Sequence, residues 1–222
     1  MHEVLQWRSP AECPRLTETS VHVWRCDLVT APSCEIAWLG PDERARLRHI
    51  RDPGVRDRFL TARGFVRRTL ASYLGIGPEH VPLTIAPGGK PRLAATTSAL
   101  HFNLSHTREL ALLAVARHPV GIDVESLRRV PRCLDIARRV WPVEWCDTLV
   151  GLEEPARSTR FLQLWTQFEA QQKAGGQGVF GGPVDVPPAQ PFFPDADHVA
   201  ALAWTCAAPP DDVIGVADDV GS

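Results

Sequence analysis

Short apolar runs recur along the chain, and several of them predict β-strands. Residues 21–28 are β-branched and aromatic with partial alternation, which is typical of a strand. The runs 110–116 and 120–124, separated by Arg117-His118-Pro119, predict two neighbouring strands. The run 110–116 could equally be part of a buried helix, because periodicity alone does not separate the two possibilities in so short a stretch.

Apolar positions three and four residues apart predict the helices. Pro41 followed by acidic residues marks one helix start, and a second helix follows the break at 52–54 and ends near Gly75. Further helices are predicted at 134–140, at 143–151 and from about 156 to 173. In the second helix the apolar stripe leaves the arginines on other faces; it consists of Val55, Phe59, Ala62, Val66, Leu70 and Tyr73.

The order strand, helices, strands occurs once before residue 117 and again after it. We therefore expect an α+β protein with two halves of similar size, residues 1–117 and 118–222. The last part of the chain is rich in proline and glycine, so its apolar runs at 199–206 and 213–216 predict edge strands joined by loops.

The composition is that of a soluble globular protein, with 44% hydrophobic and 23% charged residues. Its apolar runs fall far short of the roughly 20 residues that a membrane-spanning helix needs. Charged residues and proline interrupt the start of the chain, where a signal peptide would be apolar. We expect a cytoplasmic protein without membrane contact, and its scattered cysteines to be reduced thiols.

Positive charge is concentrated between residues 44 and 68, although the net charge of the chain is −2. These arginines could hold an anionic ligand, or they could form an ordinary solvated helix face. A slightly acidic protein without a nucleic-acid-binding motif is not expected to bind nucleic acid.

Asp123 and Glu125 stand two residues apart in a predicted strand. Their side chains therefore leave the same face, with Cα atoms roughly 6.5–7 Å apart, while Ile122 and Val124 face the core. Carboxylates at this spacing suit Mg²⁺, which takes hard oxygen ligands. A solvated strand edge would explain the same pair of residues.

Glu169 and Lys173 share one face of the predicted helix 156–173. They could form an exposed ion pair four residues apart, but the glycine-rich turn that follows would also admit a phosphate chain. His106 could be a structural histidine, a ligand or a base. Ser105 and His106 do not indicate a hydrolase, because neighbouring side chains in a strand point apart and no G-x-S-x-G surrounds the serine.

Four segments in this order resemble the 4′-phosphopantetheinyl transferases, in particular the surfactin-synthetase-activating type. They are Gly89-Lys90-Pro91, His101-Phe102-Asn103-Leu104-Ser105-His106, Gly121-Ile122-Asp123-Val124-Glu125 and Trp165-Thr166-x-x-Glu169-Ala170-x-x-Lys173-x-x-Gly176-x-Gly178. The resemblance implies a monomer folded as a pseudo-dimer, with CoA bound between the halves. It also implies Mg²⁺-dependent transfer of phosphopantetheine from CoA to a serine of an acyl or peptidyl carrier protein, with release of 3′,5′-ADP.

The resemblance also implies roles for individual residues. Asp123, Glu125 and Glu169 correspond to the Mg²⁺ ligands, and the candidate base is Glu169 or a water bound to the metal. Lys173 corresponds to the residue that pairs with the pyrophosphate and stabilises the departing group. The positions implied to hold the nucleotide and its 3′-phosphate are Arg46, Arg58, Lys90, Ser105 and His106.

Two positions depart from the family pattern. Phe168 stands where the family has a lysine before the helix glutamate, and Glu43 stands where a basic residue is common. Loss of a charge beside a reacting phosphate commonly lowers the rate by about 10²–10³. An alternative prediction is therefore a diverged protein that binds CoA or a carrier protein but performs different chemistry or none.

Overall fold

A computed structural model describes residues 5–29, 34–85, 91–94, 99–175, 187–206 and 209–218. Within these ranges the chain mixes helices and sheets, which confirms the predicted α+β class. None of the helices in these ranges is long and apolar enough to cross a membrane. The strands are β1 (Trp7–Arg8), β2 (Ser20–Asp27), β3 (Leu83–Ile85), β4 (Pro91–Leu93), β5 (His101–His106), β6 (Leu110–Ala116), β7 (Val120–Ser126), β8 (Ala189–Phe192), β9 (His198–Trp204) and β10 (Asp212–Ala217). The α-helices are α1 (Pro41–His49), α2 (Pro53–Leu74), α3 (Cys133–Val140), α4 (Val143–Asp147) and α5 (Ala156–Ala174).

The strands form two main sheets and a hairpin. The larger sheet has the order β1-β10-β2-β6-β5, in which β10 runs parallel to both β1 and β2. The smaller sheet has the antiparallel order β7-β9-β8, and β3 pairs with β4. The predicted strands at 110–116 and 120–124 therefore exist as β6 and β7, but they belong to different sheets.

The prediction that the last two strands lie at sheet edges was wrong. β9 lies between β7 and β8, and β10 lies between β1 and β2. Most of the described prolines that suggested edges lie between strands. Within the described C-terminal strands the one proline is Pro191, and its strand, β8, is an edge strand.

Strand β6 lies between two apolar layers, which explains its continuous apolar sequence. Leu113 and Val115 pack in the core that contains Phe65 of α2, whereas Leu112 and Ala114 pack in the core that contains Ile122 of β7. Because both faces are buried, the sequence shows no alternation there.

Helix α2 begins and ends at residues suited to those positions. The Asp52 carboxylate accepts a hydrogen bond from the Val55 amide at 2.8 Å, and Gly75 ends the helix in the left-handed conformation with φ of 67°. The boundaries predicted for this helix are confirmed.

Candidate active site

Helix α5 packs directly on the backbone of β7, and Gly121 makes this possible. A Cβ atom at Gly121 would overlap the Ala170 carbonyl oxygen and lie 2.5 Å from the Ala174 amide nitrogen. On the opposite face of the strand, Ile122 and Val124 are buried in the core as predicted. Asp123 and Glu125 therefore leave β7 on the side that faces α5.

Asp123 is the most enclosed carboxylate of this site, with 7% of its surface exposed. Its Oδ1 accepts hydrogen bonds from Lys173 Nζ at 2.6 Å and from Ser105 Oγ at 2.8 Å. Burial raises the pKa of Asp123, and the ammonium of Lys173 opposes that rise. Lys173 also donates to the Ile122 carbonyl oxygen at 3.2 Å, so the end of α5 is bound to β7 through this side chain.

Glu125 and Glu169 complete a cluster of three carboxylates. Burial raises the pKa of Glu169, and the charges of Asp123 and Glu125 raise it further, so the three groups interact electrostatically. Glu125 Oε2 accepts a hydrogen bond from Arg128 Nη1 at 2.6 Å. We call Asp123, Glu125, Glu169 and Lys173 the carboxylate cluster.

The oxygen donors of the carboxylate cluster are of the type that Mg²⁺ prefers. Asp123 is engaged by Lys173 and Glu125 by Arg128, and the described residues include no group of three side chains gathered as metal ligands. The donor chemistry therefore fits a divalent cation, but binding one requires these carboxylates to exchange or share their present cationic partners.

Two side chains of β5 join the larger sheet to β7. Asn103 Oδ1 accepts from the Ile122 amide at 2.8 Å, and Ser105 Oγ accepts from the Val124 amide at 3.3 Å. These bonds take the place of a backbone ladder between β5 and β7. Ser105 thus lies against Asp123, and Asn103 is a supporting residue that sequence reasoning missed. The sequence did contain a signal for Asn103, because residues two apart in a strand point to the same face, and Asn103 and Ser105 are polar residues at that spacing.

A second polar region is a cavity of about 240 Å³ between α1, α2 and the end of β5. Its charged walls come from the arginine-rich segment, so those arginines do not form only a solvated face. The lining includes Arg46, Arg58, Phe59, Arg63, His106 and Thr107. We call it the arginine cavity.

The Phe59 ring holds two of these cations. The guanidinium of Arg63 lies 5.2 Å from the ring centroid and that of Arg46 lies 5.7 Å from it. Arg63 Nε also faces Glu43 Oε1 at 3.6 Å. Nothing in the local sequence pattern distinguishes Arg63 from the other arginines of α2, so its place in the cavity could not be predicted.

Glu43 has structural partners that account for an acid at this position. Its carboxylate accepts from the Gly40 amide at 2.9 Å, which stabilises the start of α1, and from Arg67 Nη2 at 2.7 Å. Arg67 is buried, and Glu43 provides its countercharge. The acidic side chain thus helps to hold α1 against α2 beside the arginine cavity.

Comparison with curated proteins identifies relatives over most of the chain, although no family model matches it. The 4′-phosphopantetheinyl transferase HetI of Nostoc sp. is 37% identical over 175 residues, which is 75% of this chain and 73% of HetI. The chain belongs to the 4′-phosphopantetheinyl transferase family. A protein of Synechocystis sp., slr0495, provisionally named as such a transferase, is 32% identical over 72% of this chain and 66% of its own length. A 4′-phosphopantetheinyl transferase of Bacillus subtilis is 28% identical over 65% of this chain and 63% of its own length.

This phosphopantetheinyl transferase packs Phe168 into an aromatic cluster. The Phe168 ring centroid lies 6.4 Å from that of Trp141 and 6.4 Å from that of Trp165, and Phe161 stacks on Trp165 at 5.9 Å. The phenylalanine that replaces the motif lysine is therefore a packing residue between α5 and the end of α3.

The structure brings most of the predicted site residues into two groups. Asp123, Glu125, Glu169, Lys173 and Ser105 lie at the carboxylate cluster. Arg46, Arg58 and His106 line the arginine cavity. Lys90, Gly176 and Gly178 lie outside the described residues.

Proposed function

We propose that this enzyme transfers the 4′-phosphopantetheine arm of CoA to a serine of an apo acyl or peptidyl carrier protein. The observation that carries the proposal is the contact of Lys173 with Asp123 beside Glu169. A cation that bridges β7 and α5 next to a buried carboxylate with a raised pKa is suited to phosphoryl chemistry. The membership of the chain in the transferase family supports the same reaction.

The arginine cavity is suited to the nucleotide end of CoA. Arg46, Arg58 and Arg63 can each present a planar fork of N–H donors to phosphate oxygens, and the fork can bind two oxygens at once. His106, at the end of β5, adds a further hydrogen-bond donor to the lining. We assign the 3′-phosphate to this cavity, and we propose that Lys90 and Ser105 also contact the nucleotide, although Ser105 lies outside the cavity lining.

The transfer step uses the carboxylate cluster. Glu169 accepts the proton of the carrier serine as its Oγ forms a bond to the β-phosphorus of CoA. The bond from that phosphorus to the oxygen of the α-phosphate breaks, and 3′,5′-ADP leaves with the electron pair. Lys173 leaves Asp123 and pairs with the leaving phosphate, whose negative charge it stabilises. Burial raises the pKa of Glu169, which makes its carboxylate a stronger proton acceptor than that of an exposed glutamate.

Asp123, Glu125 and Glu169 would hold the Mg²⁺ ion that we assign to the reaction. When bound, the ion neutralises charge on the pyrophosphate. Arg128 now donates to Glu125 at 2.6 Å, so Glu125 would have to exchange or share this partner to hold the ion.

We further propose that the chain acts as a cytoplasmic monomer whose halves, residues 1–117 and 118–222, form a pseudo-dimer. Strand β10 of the second half then lies within the sheet of the first half, between β1 and β2. This placement supports a joint rather than independent folding of the halves.

Incubation with CoA, Mg²⁺ and an apo carrier protein, followed by intact-mass measurement of the carrier, tests the proposed reaction. The carrier should gain one phosphopantetheine arm, and a carrier whose acceptor serine is changed to alanine should not. Carriers of the acyl and peptidyl types should both be tried. A mass that stays unchanged with all of them would reject the reaction.

Phe168 favours a second candidate, a diverged transferase that binds CoA or a carrier without modifying it. Its ring fills an aromatic cluster instead of presenting a charge. Tight CoA binding measured by calorimetry, together with no gain in carrier mass, would support this candidate.

A further inference from the structure

The turn between β8 and β9 is bound to strands of the larger sheet. Trp7 Nε1 donates to the Pro194 carbonyl oxygen at 3.0 Å, and Arg25 Nη1 donates to the same oxygen at 3.2 Å. Arg25 Nη2 also lies 3.4 Å from Asp195 Oδ2, and its guanidinium stacks 5.1 Å from the Trp7 ring centroid. Three polar contacts thus fix this turn against β1 and β2, and the cation–π contact joins the two side chains that make them.

From this turn, a chain of hydrogen bonds reaches the arginine cavity through His198. Asp195 Oδ1 lies 2.8 Å from His198 Nδ1, and His198 Nε2 lies 3.3 Å from Thr107 Oγ1. The ring is buried, with 5% of the residue exposed. The carboxylate of Asp195 can only accept, so Nδ1 carries the hydrogen of that bond, and Nε2 forms the second hydrogen bond with the Thr107 hydroxyl.

The Thr107 hydroxyl also forms hydrogen bonds within the turn between β5 and β6. Its Oγ1 accepts from the Glu109 amide at 3.2 Å and from the Leu110 amide at 3.1 Å. The Leu110 carbonyl, a competing acceptor for the hydroxyl hydrogen, is farther away, at 3.5 Å. Every hydrogen-bonding site of this hydroxyl therefore has a partner when His198 accepts from it.

Both Thr107 and the neighbouring His106 line the arginine cavity. The same β8–β9 turn also holds the chain that leaves the carboxylate cluster, because the Asp197 carbonyl accepts from the Leu127 amide at 2.7 Å and His198 is paired with Ser126 of β7. One turn therefore contacts the wall of the cavity and the end of the strand that carries Asp123 and Glu125.

We propose that Asp195 and His198 are positioning residues that set the His106–Thr107 wall of the arginine cavity for the nucleotide end of CoA. This inference rests on the proposed function, since it assumes that the cavity binds that end. The two residues act through Thr107, so they control the affinity for the nucleotide and leave the chemical step unchanged.

The test compares His198→Ala, Thr107→Val and the double variant with the wild-type enzyme. Each single change should raise the KM for CoA and the Kd for 3′,5′-ADP about fivefold, the size of one lost hydrogen bond, with kcat within about twofold. The double variant should be no worse than either single variant, because both changes break the same link. Thr107→Ser keeps the hydroxyl and should retain wild-type affinity.

His118→Ala is the matched control, since His118 lies in the turn before β7 and its Nε2 approaches Cys206 Sγ at 3.7 Å. It should change neither constant. Circular dichroism shows whether each variant folds. If His198→Ala fails to fold, the comparison of Thr107→Val with Thr107→Ser decides the same question.

Three results would overturn the positioning role: unchanged KM and Kd in both single variants, a fall in kcat at constant KM, or effects that add in the double variant. These results differ from a failure of the proposed function. A wild-type enzyme that modifies carriers while the variants bind normally rejects the positioning role alone. A wild-type protein that binds neither CoA nor 3′,5′-ADP rejects both.

Discussion

The carboxylate cluster and the arginine cavity are built in different ways. The cluster takes its side chains from β7 and α5, which are packed backbone against backbone at Gly121 and joined by Lys173. The cavity takes its cations from α1 and α2, where Arg46 and Arg63 rest on the Phe59 ring. A site fixed by packed backbone suits the chemical step, whereas cations spread over separate elements suit binding of a flexible, highly charged substrate.

This contrast predicts that changes in the cluster lower kcat and changes in the cavity raise KM. Glu169→Gln should produce the largest effect, a fall in kcat of about 10³ with the KM for CoA changed by less than about threefold, because the amide cannot accept the serine proton. Initial rates of carrier modification across CoA concentrations measure both constants.

Gln167→Glu serves as a control for a change of charge on the same helix. Gln167 binds the Gln163 carbonyl within α5 at 3.0 Å, and its substitution should leave kcat near the wild-type value. If the Glu169→Gln enzyme kept the wild-type kcat, Glu169 would not be the base, and the assignment of the chemical step to the carboxylate cluster would be wrong.

Gly121→Ala should break the contact on which the cluster depends. The added methyl group would overlap backbone atoms of Ala170 and Ala174, which cannot move without shifting α5. We expect a loss of about 3 kcal/mol in the free energy of unfolding, measured by urea titration.

Gly175→Ala provides the comparison, because a Cβ there would lie 3.5 Å from its nearest neighbour, the Gln171 carbonyl oxygen. Its stability should stay within about 0.5 kcal/mol of the wild type. Equal losses in the two variants would mean that Gly121 has no special packing role.

The parts of the carboxylate cluster that depend on local geometry could be predicted from the sequence. The period of two in a strand places Asp123 and Glu125 on one face, and Ile122 and Val124 are buried opposite them. The bounds of α2 and α5 were also predictable, since their apolar stripes and end residues are local signals.

Contacts between distant segments could not be predicted in the same way. Lys173 and Glu169 share a helix face, yet Lys173 binds Asp123, 50 residues away along the chain. Arg63 could not be distinguished from its neighbours until α2 and Phe59 were placed. The position of β10 inside a sheet depends on which strands flank it, and the proline-rich sequence around it pointed to an edge.

Arg63→Ala should sharpen the contrast from the cavity side. Removal of one guanidinium from the phosphate wall should raise the KM for CoA about 10- to 50-fold, the range of a charge-assisted hydrogen bond, with kcat nearly unchanged. Glu43 keeps its bond to Arg67, so α1 should stay in place.

Arg48→Ala is the matched control, since Arg48 is exposed on α1 and does not line the cavity. It should leave KM unchanged. If both arginine variants raise KM equally, the general positive field of this segment binds CoA, and the cavity has no specific role.

Acid should destabilise the fold through a residue that contacts the cavity helix. His22 Nδ1 lies 2.6 Å from Tyr73 Oη on α2, and burial lowers the pKa of His22 to about 4. An unfolded histidine titrates near pH 6.5. As the pH falls from 6.5 towards 4, His22 therefore binds a proton in the unfolded chain but stays unprotonated in the folded protein. This residue alone should cost about 2 kcal/mol of stability between pH 7 and pH 5.

Urea unfolding of the wild type and of His22→Asn at several pH values measures this contribution. The variant should be less stable at pH 7, because it loses ring packing, but its stability should decline less steeply below pH 6.5. Parallel declines would show that His22 does not titrate in this way.

Phe168→Lys should give the smallest loss of stability, and it tests whether position 168 serves the carboxylate cluster or the aromatic cluster. Loss of the ring contacts with Trp141 and Trp165 should lower the free energy of unfolding by about 1–2 kcal/mol. The family resemblance predicts that the restored cation speeds transfer. Phe168→Leu removes the ring without adding a charge, so it should lose similar stability and gain no rate. A lysine variant no faster than the leucine variant would mean that the site has been rebuilt around phenylalanine.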